Sequence, residues 1–241
     1  MLTLMRGRIT VDSIERNLSD IMEKISKSSQ QSGRNSSEIT LVAVTKTVDA
    51  DRINEAVRAG VRVVGENRVQ EARDKFTLVE KGVDWHLIGH LQTNKAKYVP
   101  EIFSMVHSVD SVELANELER RCEAAGKVME ALVEVNVSHE ESKFGIEPEN
   151  AADFLRTVSS CQHIKFRGIM TVAPASEDPE LVRPVFADTR RLFEDLKRLK
   201  ISNVDLVHLS MGMSSDYEVA IEEGATMVRI GSALFGRRTY V

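Results

Sequence analysis

The sequence predicts an α/β chain folded as a single (β/α)8 TIM barrel with an extra N-terminal helix. Three observations carry this. Eight compact β-rich apolar runs recur along the chain, amphipathic stretches alternate with them, and no linker, low-complexity tract or charge block divides the 241 residues. Such a length buries one large core, so one domain is expected over 1–241, with the leading helix at about 11–30 and the barrel at about 39–238.

The β-rich runs occupy residues 39–46 (ITLVAVTK), 61–67 (VRVVGEN), 85–90 (WHLIGH), 103–110 (FSMVHSVD), 128–137 (VMEALVEVNV), 164–172 (IKFRGIMTV), 205–212 (DLVHLSMG) and 227–235 (MVRIGSALF). Near-continuous apolar runs suit strands buried on both faces, as in a parallel sheet. Helical patterns fill 49–59, 68–80, 111–125, 148–159, 179–199 and 215–223, with a shorter stretch at 92–99. Asp110-Ser111 and Asp178-Pro179 open helices with capping or first-turn chemistry, and Gly60, Gly126 and Gly224 close them. Pro184 marks an irregular start to its helix, and the SSQQSGRNSS stretch at 28–37 reads as a polar loop. A doubly wound open sheet is the competitor, but the first strand ends in Thr45-Lys46-Thr47 with no G-x-G-x-x-G after it.

Charge and composition exclude several classes. Lys and Arg number 32 against 37 Asp and Glu, a net charge of −5, which argues against a general electrostatic grip on nucleic acid. No apolar run approaches the ~18 residues of a membrane span. The start, MLTLMRGRITVDSIERNL, has no apolar h-region, so no signal peptide and a cytoplasmic location are expected. Two cysteines, Cys122 and Cys161, make no disulfide framework and read as structural.

Chemistry in such barrels collects at the C-terminal ends of the strands. Those positions hold Lys46, Glu66, Asn67, His90, Asp110, Asn136, Met170, Thr171, Ser210 to Gly212, Gly231 and Ser232. Lys46, closing the run LVAVT, either snorkels to solvent or presents a partly desolvated, nucleophilic amine able to capture a carbonyl. LSMGMSSD (209–216) and RIGSALFG (229–236) place Gly and Ser where strands seven and eight hand over to helices. Such loops either make tight turns or cradle a phosphate, and the second is the usual anion site of these barrels. A lysine facing a phosphate cradle suits a ligand with both an aldehyde and a phosphate: pyridoxal 5′-phosphate, or the substrate of a Schiff-base aldolase. His86 and His90, four apart on a strand, do not make a metal site, and His86 reads as a packed core histidine. The pair Arg237-Arg238 is too short for a nucleic-acid patch and rules out a P-loop after Gly236.

Seven segments together resemble the pyridoxal phosphate homeostasis proteins, barrel relatives of the N-terminal domain of bacterial alanine racemase. They are L-V-A-V-T-K (41–46), G-E-N-R-V-Q-E (65–71), W-H-L-I-G-H-L-Q-T-N-K (85–95), V-N-V-S-H-E-E-S-K-F-G (135–145), G-I-M-T (168–171), L-S-M-G-M-S-S-D (209–216) and V-R-I-G-S-A-L-F-G (228–236). The resemblance implies that Lys46 forms the internal aldimine with pyridoxal phosphate. It also implies that Ser214 or Ser215, with Gly231 and Ser232, holds the phosphate, and that Arg229 faces the pyridine nitrogen. Lys143 would lie near the phenolate, and Asn67 and Met170 would line the pocket.

An arginine at the ring nitrogen discourages its protonation and makes the cofactor a weak electron sink, which argues against transaminase and decarboxylase chemistry. The chain stops at Val241, so the racemases' C-terminal domain with its tyrosine base is expected to be absent, and Tyr98, Tyr217 and Tyr240 lack that tyrosine's context. The implied role is binding and buffering of pyridoxal phosphate in vitamin B6 and amino-acid balance without robust catalysis. PLP-dependent apo-enzymes are the implied recipients; no membrane or nucleic-acid partner is expected, and a monomer is favoured. A residual racemase and a cofactor-free aldolase are the alternatives.

Overall fold

The computed structural model describes residues 13–140 and 143–236. Eight parallel strands close in sequence order, with β8 returning to β1. They are β1 (Thr40–Val44), β2 (Val63–Glu66), β3 (Asp84–Leu87), β4 (Met105–Val109), β5 (Met129–Glu134), β6 (Ile164–Met170), β7 (His208–Ser210) and β8 (Met227–Ile230). Helix α1 (Ile14–Gln31) precedes the barrel, and α2 (Ala50–Ala59), α3 (Val69–Phe76), α4 (Val99–Ile102), α5 (Val112–Ala124), α6 (Ala151–Val158), α7 (Arg183–Arg198), α8 (Tyr217–Glu222) and α9 (Ser232–Phe235) follow successive strands. The predicted (β/α)8 architecture with a leading helix is therefore present.

Local chemistry explains the boundaries. The hydroxyl of Ser13 accepts from the Arg16 amide, Asp49 from Arg52 and Ser111 from Leu114, capping α1, α2 and α5. Gly60, Gly126 and Gly224 follow helices at φ of 124°, 62° and 105°, as expected. Pro184 sits in the first turn of α7, behind a 3-10 turn at Pro179–Val182. The leading helix runs to Gln31, so residues 28–31 are helical, not loop, and Ser28 and Ser29 are buried in it; residues 11 and 12 lie outside the described residues. The eighth apolar run is likewise extended only to Ile230. Gly231 leaves the extended conformation, its carbonyl accepts from Leu234 and Phe235, and 232–235 become the short helix α9.

Side chains alternate across the barrel wall. One large apolar cluster joins the outer face to the helices, with Phe166, Phe186, Ile53 and Leu118 fully buried. Each such side chain contributes about 2 kcal/mol. A second, smaller cluster of Val42, Met105, Leu132, Met170 and Met227 fills part of the lumen, and polar side chains occupy much of the rest. Helix α1 buries Ile14, Leu18, Ile21 and Ile25 against the barrel and its neighbouring helices. Among the described residues no helix is long and apolar enough to cross a membrane.

Candidate functional site

Lys46 is half-buried in the turn that follows β1, at the C-terminal end of the barrel. That turn is gripped from outside. Gly65 faces the lumen, where a Cβ would meet Val42 at 2.8 Å and Ile88 at 2.9 Å, so the next residue, Glu66, points out towards α3. This corrects the placement of Glu66 at the barrel mouth: it is fully buried behind the wall. Its Oε1 accepts from Thr45 Oγ1 at 2.7 Å and from Lys75 Nζ at 2.9 Å. Lys75 also donates to the Thr45 carbonyl at 2.8 Å and to Glu71 Oε1 at 2.6 Å, and Glu71 in turn accepts from the Thr47 amide. Thr47 adopts a left-handed φ of 62°, which these contacts hold in place. Both neighbours of Lys46 are thus fixed through one partly buried ion cluster. Burial raises the Glu66 carboxyl, and Lys75 and Thr45 pull it back down.

The lumen beneath carries Arg229 from β8. Its Nη1 donates to Ser210 Oγ at 2.7 Å and its Nη2 to the Thr171 carbonyl at 2.8 Å. Burial lowers it to about 10, so it remains a cation at neutral pH. Ser210 Oγ lies 3.0 Å from His107 Nδ1, and His107 Nε2 lies 3.0 Å from His86 Nδ1. Desolvation lowers His86 to about 4 and His107 well below the usual imidazole range, so both rings are neutral. His86 is therefore the buried core histidine the sequence suggested. Glu134, at the end of β5, is buried with Oε2 unpaired; desolvation, then Asp110, push its carboxyl up to about 7 against the pull of Arg229.

Across the mouth, the loops after β7 and β8 meet at Ser214, whose Oγ accepts from the Gly231 amide at 3.2 Å and from the Ala233 amide at 3.3 Å. Ser232 is exposed between those two amides, and Ser215 is exposed with its hydroxyl outside this contact. Behind them Asp216 is buried and accepts from the Met213 amide at 2.6 Å. Lys143 Nζ donates to Glu140 at 2.5 Å and to the Val172 carbonyl at 3.1 Å, which pins the loop after β5 to the end of β6. Met170 is buried within the lumen cluster. Asn67 is half-buried beside a cavity of about 320 Å3 that it shares with Arg68, His90, Gln92 and Lys95. His90 stacks on Phe144 with ring centroids 3.7 Å apart and sets Nδ1 3.2 Å from Asp110.

The site thus offers an amine, a buried guanidinium and two loops with amides and hydroxyls. Those donors fit a ligand with an electrophilic carbon, a ring acceptor and an anionic tail. Among the described residues no His, Cys, Asp or Glu group is arranged to hold a metal ion. Cys122 and Cys161 are buried with their thiols pushed up, Cys122 to about 11, which suits a structural role. Tyr98 lies against Arg73 of α3, and Tyr217 is buried at the start of α8; Tyr240, Arg237 and Arg238 fall outside the described residues. Sequence reasoning missed His107, Glu134 and Lys75. His107 and Glu134 show only as polar interruptions inside apolar runs, and Lys75 as one more helix charge.

Fold and site together define a class, the barrels of the alanine racemase N-terminal domain, whose family model matches residues 9–239. The pyridoxal phosphate homeostasis protein of Aquifex aeolicus is 45% identical over 224 residues, 92% of this chain and 97% of that protein. PipY of Synechococcus elongatus, solved with pyridoxal phosphate bound, superimposes with a TM-score of 0.80 at 34% identity, over 92% of this chain and all of PipY. The chain belongs to the pyridoxal phosphate homeostasis protein family. An alanine racemase from Clostridium difficile, 16% identical with a TM-score of 0.72 over 95% of this chain and 57% of its own, shares the fold.

Proposed function

We propose that this protein holds pyridoxal 5′-phosphate through a Schiff base at Lys46 and serves intracellular vitamin B6 homeostasis as a carrier, without robust turnover. The observation that carries this reading is the placement of a half-buried lysine, a buried cationic Arg229 and the Ser214-centred loops at one end of one barrel. Bound there, the cofactor supplies an electrophilic aldehyde and a conjugated ring able to absorb charge. The residues do the rest. Lys46 Nζ holds the aldehyde carbon, and the clamp of Glu66, Glu71 and Lys75 keeps its turn in register. Arg229 donates towards the ring nitrogen and keeps it unprotonated, because a second positive charge beside a buried guanidinium is costly. Ser214, Gly231 and Ser232 hold the phosphate, the hydroxyl of Ser214 yielding its two amides to the anion. Lys143 contributes charge near the phenolate, and Asn67 and Met170 shape the pocket wall. The site lies in the cytoplasm in this reading, and PLP-dependent apo-enzymes receive the cofactor.

The test is visible absorption of the purified protein with added pyridoxal phosphate, followed by borohydride reduction and peptide mapping. The wild type should gain a band near that of a lysine-bound chromophore and carry a pyridoxyl mass on Lys46, and K46A should show neither. Identical spectra for the two proteins overturn the proposal. Robust Lys46-dependent deuterium incorporation at the α-carbon of alanine would replace the carrier with a racemase.

A further inference from the structure

The contacts below Arg229 have one direction that also gives the Ser210 proton an acceptor. A guanidinium can only donate, so Ser210 Oγ accepts from Arg229 Nη1 at 2.7 Å. Ser210 is fully buried, and its hydroxyl has one proton to give; the acceptor in reach is His107 Nδ1 at 3.0 Å. His107 Nδ1 must then carry the lone pair, which puts the ring proton on Nε2, and Nε2 donates to His86 Nδ1 at 3.0 Å. His86 in turn holds its own proton on Nε2. In that direction the Arg229 cation sets the tautomers of two histidines on β4 and β3, through a serine on β7.

We propose that Ser210 and His107 are positioning residues for Arg229, forming with His86 a one-way hydrogen-bond column in the lumen that holds the guanidinium rigid before any ligand arrives. The surroundings favour this polarity. Burial disfavours a charge on either ring, and His208 of β7 opposes added positive charge on both, with Arg229 opposing it on His107 as well. Glu134 of β5 and Asp216, beyond β7, supply the opposite charge to Arg229 without hydrogen-bonding it. Protonation of His107 would turn Nδ1 into a donor, deprive the Ser210 proton of its acceptor and disturb the bond to Arg229. Between them, Ser210 and the Thr171 carbonyl fix the guanidinium plane and leave its remaining N–H groups to a ligand.

The consequence for the cofactor rests on the pyridoxal phosphate reading, whereas the column is testable without it. In the unliganded 15N-labelled protein at pH 7, two-bond proton–nitrogen correlations should show His107 and His86 as single neutral tautomers protonated on Nε2. A proton on Nδ1 of either ring, or a charged ring, overturns the column. In the second arm, pyridoxal phosphate is titrated into S210A, H107L and H107Q. S210A and H107L should bind about tenfold more weakly, while H107Q, which keeps an acceptor towards Ser210 and a donor towards His86, should stay within about threefold. Equal affinity in all three overturns the positioning role. Should the parent itself fail to bind, the cofactor reading falls, and the tautomers still decide the column.

Discussion

Two cations, the half-buried Lys75 and the buried Arg229, stand on opposite sides of the barrel wall and are treated differently. Lys75, in the layer between β2 and α3, is met by two carboxylates, Glu66 at 2.9 Å and Glu71 at 2.6 Å, and by the carbonyl of Thr45. Arg229, inside the lumen, touches a hydroxyl and a carbonyl, both neutral. A paired charge in a closed cluster is neutralised and acts as scaffold. A charge met by neutral acceptors keeps its field and some of its donors. The contrast teaches that Lys75 shapes the Lys46 turn, whereas Arg229 keeps N–H groups that, on the proposed reading, meet a ligand that supplies electron density.

The contrast can be broken most forcefully at Lys75. K75M leaves Glu66 buried without its cation and should cost about 3–5 kcal/mol in urea denaturation, since removing one partner strands the other charge. A loss below about 1 kcal/mol would show the cluster to be incidental.

Next comes Glu134, the carboxyl nearest in field to Arg229 yet not bonded to it. Its folded value of about 7 lies above the ordinary 4.5, so the unfolded chain gives up this proton first and stability falls as pH rises from about 4.5 to 7. A shift of that size corresponds to roughly 3 kcal/mol. E134Q should therefore stabilise the unliganded protein at pH 8 by ~1–3 kcal/mol and hardly change it at pH 4.5. His86 works in the other direction: lowered to about 4, it destabilises the fold as pH falls below about 6.5. E134Q should accordingly expose a steeper acid-side loss in thermal unfolding scans. Equal melting shifts at pH 4.5 and pH 8 would refute the assignment.

The smallest effect belongs to Ser214. Its two accepted amide bonds are long and near the surface, so S214A should cost under about 1 kcal/mol of stability. Loss of the same hydroxyl from the phosphate should still weaken pyridoxal phosphate binding about threefold to tenfold, measured by absorbance titration. Unchanged affinity would move the anion away from these loops.

Much of the fold was legible. Alternating apolar runs and capped amphipathic stretches determined the eight strands and their helices, because local periodicity and helix-start chemistry lie within a few residues of each other. The errors fell where local pattern is ambiguous, as at 231–235, where an apolar Gly-Ser-Ala-Leu-Phe run suits a strand or a helical turn equally. Lys46 and the Gly/Ser loops stand out in the sequence because each closes an apolar run, whereas Arg229, inside such a run, is singled out only by the family resemblance. Of the two serines left open, Ser214 makes the contact between the loops.

By itself the sequence determined a barrel with an amine after its first strand and turn-forming loops after its last two. Only tertiary structure decided which polar residues face inward. In a parallel strand buried on both faces, an apolar run does not distinguish lumen from helix layer. Glu66 and Glu134 both end strands, yet one backs against α3 and the other enters the lumen. Ser210 and His107, 103 residues apart, become partners because closing the barrel brings β7 and β4 to face one another across its axis.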